Sequence, residues 1–435
     1  MSNNASIEKE SENVSPMGVV RALAKGQYPA LRSLYVMAVL EVAGFSMLIP
    51  VAPYFAIKEL GLQPREFGLV MSAHAVAQLI GASIGGRVSD CVGRYPVLLA
   101  CFAWSTLGMG GMFFVNSFSD LLILRTLLGL SGGTIPVCHA YILDAVPSGD
   151  RAVWMGFFGC ATGVSFVGGC ALGSFLVFED ISRRHIFVLA ATYAFLATIW
   201  GVFFLQESLP DSKRRPLLNG KEAWFTSCDV VGGGLMSVWL VRLLISVAQG
   251  LLFATYAFLI ADLFGWSDFE FGIALAVTGV LGATLQLTMY PVLAQQSKLG
   301  AVWSLGIGCA CGMVALCLYP RRKLVLHIFA ASLFTAGGAL VEPAIPTLIG
   351  YFAGERHLGF ANGMSGSARS IASAFAPLLG GFLYQRNKAY PYYLGSILFA
   401  CSALFASSLV QAPELAEKPG EAERLLYGLT GVRRV

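Results

Sequence analysis

The chain reads as an all-α integral membrane protein whose twelve transmembrane helices form two pseudo-symmetric six-helix bundles. Three observations predict this. Only 12% of the 435 residues are charged and 56% are hydrophobic, where soluble domains run near ~25% charged. Apolar runs long enough to cross a ~30 Å hydrocarbon core, about 20 residues each, recur twelve times. Shifted by 205 residues, the sequence answers itself across its two halves.

The same composition excludes other classes. The runs are too long and unbroken for barrel strands. A net charge of +4, with no large Lys/Arg cluster, gives no electrostatic track for nucleic acid. The 10 cysteines lie mostly inside apolar runs without CxxC spacing. They read as small packing residues, neither a disulfide framework nor a metal site. No nucleophile–base pair, phosphate loop or metal cluster is visible, so neither an enzyme nor a cofactor is expected.

The expected spans lie near 33–57, 67–88, 95–115, 119–143, 152–177, 186–206, 237–261, 270–293, 301–319, 325–351, 358–383 and 391–411. The polar stretch before them lacks the basic start and early apolar core of a secretory signal, so the first span must drive insertion. Asn4-Ala5-Ser6 and Asn13-Val14-Ser15 match the glycosylation sequon, which matters only if this tail faces a lumen. The longest internal loop, 207–236, falls in the middle. The expected organisation is a tail 1–32, a bundle 33–206, a central loop 207–236, a bundle 237–411 and a tail 412–435.

An even span count places both termini on one side. With cytoplasmic termini, the tails and same-side loops hold 17 of the 29 Lys/Arg residues and the opposite loops hold 9. The positive-inside rule therefore favours cytoplasmic termini, although Arg321-Arg322-Lys323 stands on the other side. In the repeat, Gly132-Gly133 of span four meets Gly337-Gly338 of span ten, and Asp150-Arg151 meets Glu355-Arg356. Two residues out of that register, at an offset of 207, "GGCALGS" (168–174) in span five resembles "FAPLLGG" (375–381) in span eleven. Parallel halves of this kind place a solute site near the midplane between them.

The stretch "GGRVSDCVGRYPVLL" (85–99) sets a charged turn between spans two and three. Gly86, Asp90, Gly93 and Arg94 stand in the register G-x-x-x-D-x-x-G-R, and here the chain resembles the major facilitator superfamily over roughly residues 31–411. Cys91 and Tyr95 replace residues that are usually basic in that pattern. Glycines allow close helix approach at a tight turn, and Asp90 and Arg94 carry charge-assisted hydrogen bonds. The resemblance implies an acidic partner at the end of span four, Asp144, and a conformational latch of Gly86, Asp90, Gly93, Arg94 and Asp144. The alternative is a turn that only keeps Arg87 and Arg94 inside.

Further matches point to the drug:proton antiporter branch, resembling the tetracycline-transporter-like group, with vesicular amine transporters as close alternatives. Arg125 and Gly129 fit R-x-x-x-G, with Leu128 in place of a common glutamine. Gly169-Cys170-Ala171-Leu172-Gly173-Ser174 is similar to the antiporter helix G-P-x-x-G-G but lacks its proline and last glycine. "LEVAGFSMLIPVAP" (40–53) and "ESLP" (207–210) also match the branch.

An ionisable group at mid-membrane costs at least ~2.5–3.5 kcal/mol, so each calls for a reason. Glu41 lies about eight residues into span one, roughly 12 Å deep at 1.5 Å per residue. It is a candidate proton carrier, or else a structural acceptor. Glu342 and Arg369, on antiparallel neighbouring spans, are expected to neutralise each other or to leave Glu342 for the cavity. Arg125 reads as a site residue or a snorkelling one, and Arg242 is expected to snorkel. Gln249 and Tyr256 are polar enough to line a solute cavity, whereas His74 and His139 read as packing residues.

The leading functional reading is a monomeric secondary transporter that exports a small organic solute against proton entry, by alternating access, in a plasma or organellar membrane. Its expected partners are the solute, protons and membrane lipid. A facilitator or symporter of the same fold, and a non-transporting receptor or scaffold, stay open. In the last tail, Glu421 to Leu426 ("EAERLL") matches the acidic dileucine sorting pattern, and equally an amphipathic turn on the bilayer.

Overall fold

The computed structural model describes residues 29–147, 150–214, 233–294 and 298–411. The sequons, the dileucine pattern and most of the central loop lie outside them. All regular elements among these residues are helical. They are α1 (Pro29–Lys58), α2 (Pro64–Val92), α3 (Arg94–Gly111), α4 (Phe118–Gly129), α5 (Thr134–Ala145), α6 (Arg151–Phe178), α7 (Arg183–Phe204), α8 (Gly233–Phe264), α9 (Asp268–Ala294), α10 (Lys298–Leu318), α11 (Leu324–Arg386) and α12 (Tyr390–Ser408).

Local chemistry sets the breaks. Gly93 opens α3 with φ 109°, left-handed backbone that costs a glycine little. Ser117 caps α4: its hydroxyl accepts the Asp120 N–H while the Asp120 carboxylate accepts the Ser117 N–H, a capping box. The expected fourth span proves to be two α-helices joined by a 3₁₀ turn, Leu130–Gly133, built on the glycine pair.

The 63 residues of α11 cover two of the expected spans. A straight helix of that length would measure about 95 Å, some three times the bilayer core. It does not run straight. Glu342 meets Arg242 of α8 and Phe352 lies against Gly234. The chain then climbs back along the same helix, with Ala361 at Trp239, Ala376 at Gly250 and Gly380 at Leu251. The direction reverses between Phe352 and Ala361. Eleven helical stretches among the described residues are long and apolar enough to cross a membrane. The returning limb brings the crossings to the expected twelve.

The described residues divide into two compact units. Unit 1 holds 29–62, 73–214 and 267–276; unit 2 holds 63–72, 233–266 and 277–411. In unit 1, α1 is the buried core helix. Leu31, Leu34, Met37 and Ala38 meet Leu98, Phe102, Tyr141 and Trp154, and Tyr35 donates to the Trp154 carbonyl at 2.6 Å. In unit 2, α8 has that role, with Val238, Val241, Ile245, Ala248, Leu251 and Leu259 fully covered or nearly so. Elsewhere large apolar side chains stay uncovered, among them Phe114 (74%), Leu287 (78%) and Val325 (80%). Water would penalise so much exposed apolar surface, and lipid does not.

Candidate functional site

The joint between α2 and α3 in unit 1 is built around one arginine. Arg94 sits on the first turn of α3 and is 7% exposed. Its Nη1 donates to Asp90 Oδ1 at 2.5 Å and to Ser89 Oγ at 2.7 Å, and its Nε to Asp144 Oδ2 at 2.9 Å. The three expected charges of the latch therefore meet. A guanidinium forked between two carboxylates fixes the angle between helix ends in a way a single hydrogen bond does not.

A fourth member was missed. Glu207, read in the sequence only as part of "ESLP", accepts the Arg94 N–H at 2.9 Å and the Tyr95 N–H at 3.2 Å. Its Oε1 also takes the Leu209 N–H at 3.0 Å. A carboxylate here satisfies orphan donors and meets the positive end of the helix dipole. Arg214 stands 3.8 Å from the same carboxylate. A side chain at Gly93 would run into Glu207, so this glycine serves both the turn and the close approach. Gly86 has open space around it and makes no such approach; Gly85 does, against Gly133.

Within the expected solute and proton group, each residue has a definite place. Glu41 on α1 is 8% exposed, with Ser105 beside it and with no hydrogen-bond partner for Oε2 among the described residues. Arg125 on α4 is 6% exposed, too well covered by protein to be a snorkelling side chain, and its carbonyl meets His74 Nδ1 at 2.8 Å.

In unit 2, Arg242 corrects the expectation of snorkelling. It is 7% exposed and its Nη1 donates to Glu342 Oε2 at 3.0 Å. Arg369 contributes to the field at Glu342, but its own side chain is exposed, and Gln249 lies beside the carboxylate. Among the described residues, the ion-pair partner of Glu342 is thus Arg242. Tyr256 stands apart from this group: its hydroxyl meets His327 Nε2 at 3.1 Å, inside a cage of Phe264, Trp266 and Tyr319. His327, which the sequence did not single out, is fully buried there. No group of three metal-ligating side chains exists among the described residues.

The sequence profile of the Major Facilitator Superfamily matches residues 34–320 and 238–433. The tetracycline resistance protein, class H, of Pasteurella multocida is 28% identical, over 84% of this chain and 93% of that protein. The quinolone resistance protein NorA of Staphylococcus aureus is 26% identical, over 83% and 91%. Among solved structures, the human organic anion transporter MFSD10 (TETRAN) superposes with a TM-score of 0.65 at 21% identity, over 87% of this chain and 99% of that one. At that identity the likeness speaks for the fold.

Proposed function

Because the chain belongs to the Major Facilitator Superfamily and is a multi-pass membrane transporter, we propose that it exports a small organic solute in exchange for protons. The observation that carries this reading is Glu41. A carboxyl group in a membrane-crossing helix, 8% exposed and with one oxygen unpartnered among the described residues, is costly to keep there without a function. Such a group exchanges a proton whenever its surroundings become wet. Glu342 suits that task less well, because Arg242 already neutralises it.

The Arg94 cluster supports alternating access. Asp90, Asp144 and Glu207 converge on one helix start, so a change in hinge angle breaks several charged contacts together. That is the behaviour of a two-state element and not of a graded one. The termini are assigned to the cytoplasm on the charge count. The relatives named for tetracycline and quinolone resistance make those two drug classes the first solutes to try.

The missing proline and last glycine of the α6 pattern favour a second reading, a facilitator that runs without protons. One experiment separates the two: solute flux in proteoliposomes with and without an imposed pH gradient. An antiporter concentrates solute against its gradient when the pH difference is imposed. A facilitator only equalises it.

A further inference from the structure

The starts of α2 and α9 repeat one another at an offset of 204 residues. Gly61 and Gly265 both take left-handed backbone, φ 63° and 69°. Two residues on, the Gln63 and Ser267 N–H groups donate to Glu66 and Glu270 at 2.8 and 2.7 Å, each acid reaching back to cap its helix. Phe67 packs on Phe258 and Phe271 on Tyr54, at 5.7 and 6.1 Å between ring centroids. Tyr54 and Phe258 are themselves 204 residues apart. Last come Gly68 and Gly272. A methyl group on Gly68 would overlap the Pro377 carbonyl, and one on Gly272 would overlap the Ser174 hydroxyl.

Each start lies in the unit formed mainly by the other half of the sequence: 63–72 in unit 2 and 267–276 in unit 1. The duplicated Glu-Phe-Gly thus makes the same ring-and-glycine packing twice, once inside each unit. Among the described residues, the α9 copy adds a salt bridge from its first helical residue. Where α2 begins with Pro64, α9 begins with Asp268, whose side chain is fully buried in unit 1. Arg183 holds it with both arms, Nε to Oδ1 at 2.9 Å and Nη2 to Oδ2 at 2.8 Å, and Lys58 stands at 3.9 Å. Arg183 also lies 3.6 Å from Glu59, which takes Arg184 at 3.3 Å.

A carboxylate with no access to water is tolerated only while its partner is in place. Once the α9 start leaves unit 1, both members of the pair can hydrate, so the pair has two stable conditions, dry and bound or wet and apart. Alternating access requires that departure, and in this respect the inference rests on the transport reading. We propose that Arg183–Asp268 is the releasable lock that holds the α9 start in unit 1, at the end of α7 opposite Arg94, added to the Glu-Phe-Gly packing there, and that it sets how often this start is released.

Ser174, fully buried against Gly272, is the place to test it. In the full chain carrying Ser174→Cys, purified in detergent, labelling of the new thiol by a charged maleimide is followed by peptide mass spectrometry. Native Cys138, buried in the unit 1 core, is the internal control for unfolding. Asp268→Asn and Arg183→Gln are each expected to speed labelling at position 174 roughly tenfold or more, with Cys138 unchanged. The reversed pair, Asp268→Arg with Arg183→Asp, should return it toward the parent rate. Parent-like labelling in every variant that elutes as folded protein overturns the proposal, as does an equal rise at Cys138 or a reversed pair that stays fast. No solute or pH gradient enters this measurement, so a chain that failed every flux assay would still answer it. Lost flux with unchanged labelling would reject the lock and leave the transport reading intact.

Discussion

The Glu207 carboxylate accepts the backbone N–H of Arg94 at 2.9 Å across 113 residues of sequence. The segment that follows α7 thereby caps the start of α3, and the charged turn is held from two sides: Asp90 and Asp144 on the side chain, Glu207 on the main chain.

These two grips have separable consequences. Asp90→Asn and Arg94→Ala act on the equilibrium between conformations, so each should lower turnover far more than solute affinity. Glu207→Ala removes a helix cap worth about 1 kcal/mol and should lower the unfolding temperature as well. Glu207→Gln, which still accepts one of the two N–H groups, should fall between. Turnover, affinity and thermal midpoint measured on one set of purified variants check all three. Wild-type turnover in Arg94→Ala would remove the hinge from the mechanism.

The Arg242–Glu342 pair makes an asymmetric prediction. The Arg242 side chain is 8% exposed and that of Glu342 37%. Glu342→Leu strands a buried cation and should destabilise unit 2 by about 3 kcal/mol. Arg242→Met leaves a better hydrated acid and should cost less. The double replacement should be more stable than Glu342→Leu alone, because no charge is then left unpaired. A double-mutant cycle in thermal unfolding measures the coupling, and additive losses would mean the two side chains do not interact.

Three glycines hold the broken span against α2. A methyl group at Gly81 would overlap the Leu130 carbonyl, one at Gly129 the His74 carbonyl, and one at Gly132 the Gln78 carbonyl. Backbone cannot yield as a side-chain tip does. Alanine at each is expected to cost 1–3 kcal/mol, the usual range for overpacking, whereas Gly86→Ala, with open space around it, should be neutral. Expression yield and thermal midpoint of the four single variants decide this.

Much of the fold was legible because lipid imposes one rule on every crossing: about 20 apolar residues with all backbone bonds satisfied inside the helix. The Arg94, Asp90 and Asp144 cluster was legible because two of its members share one turn and the resemblance pointed to the third. Glu207 was not, since no local pattern tells a capping acid from a solvated loop acid when its helix lies 113 residues away. Arg242 was misread for a similar reason. Its position near the start of a span suggested an easy reach to the interface, and only the packing of α11 on α8 shows Glu342 waiting for it. The break in the fourth span carried a signal, the glycine pair, but a glycine pair marks a repeat, a close contact and a 3₁₀ turn equally well. The Glu-Phe-Gly duplication was in plain sight at an offset one residue short of the one that aligns the glycine pairs.

The proposed transport cycle depends on Glu41 carrying the exchanged proton. It is tested most directly by loading proteoliposomes with tetracycline or a quinolone, imposing a pH gradient, and comparing wild type with Glu41→Gln. Glutamine keeps the size and polarity of the side chain but has no proton to release at working pH. The variant is expected to fold and to exchange labelled solute across the bilayer at equal concentrations, yet no longer to accumulate solute when the pH gradient is imposed. Accumulation at the wild-type level by Glu41→Gln would contradict it.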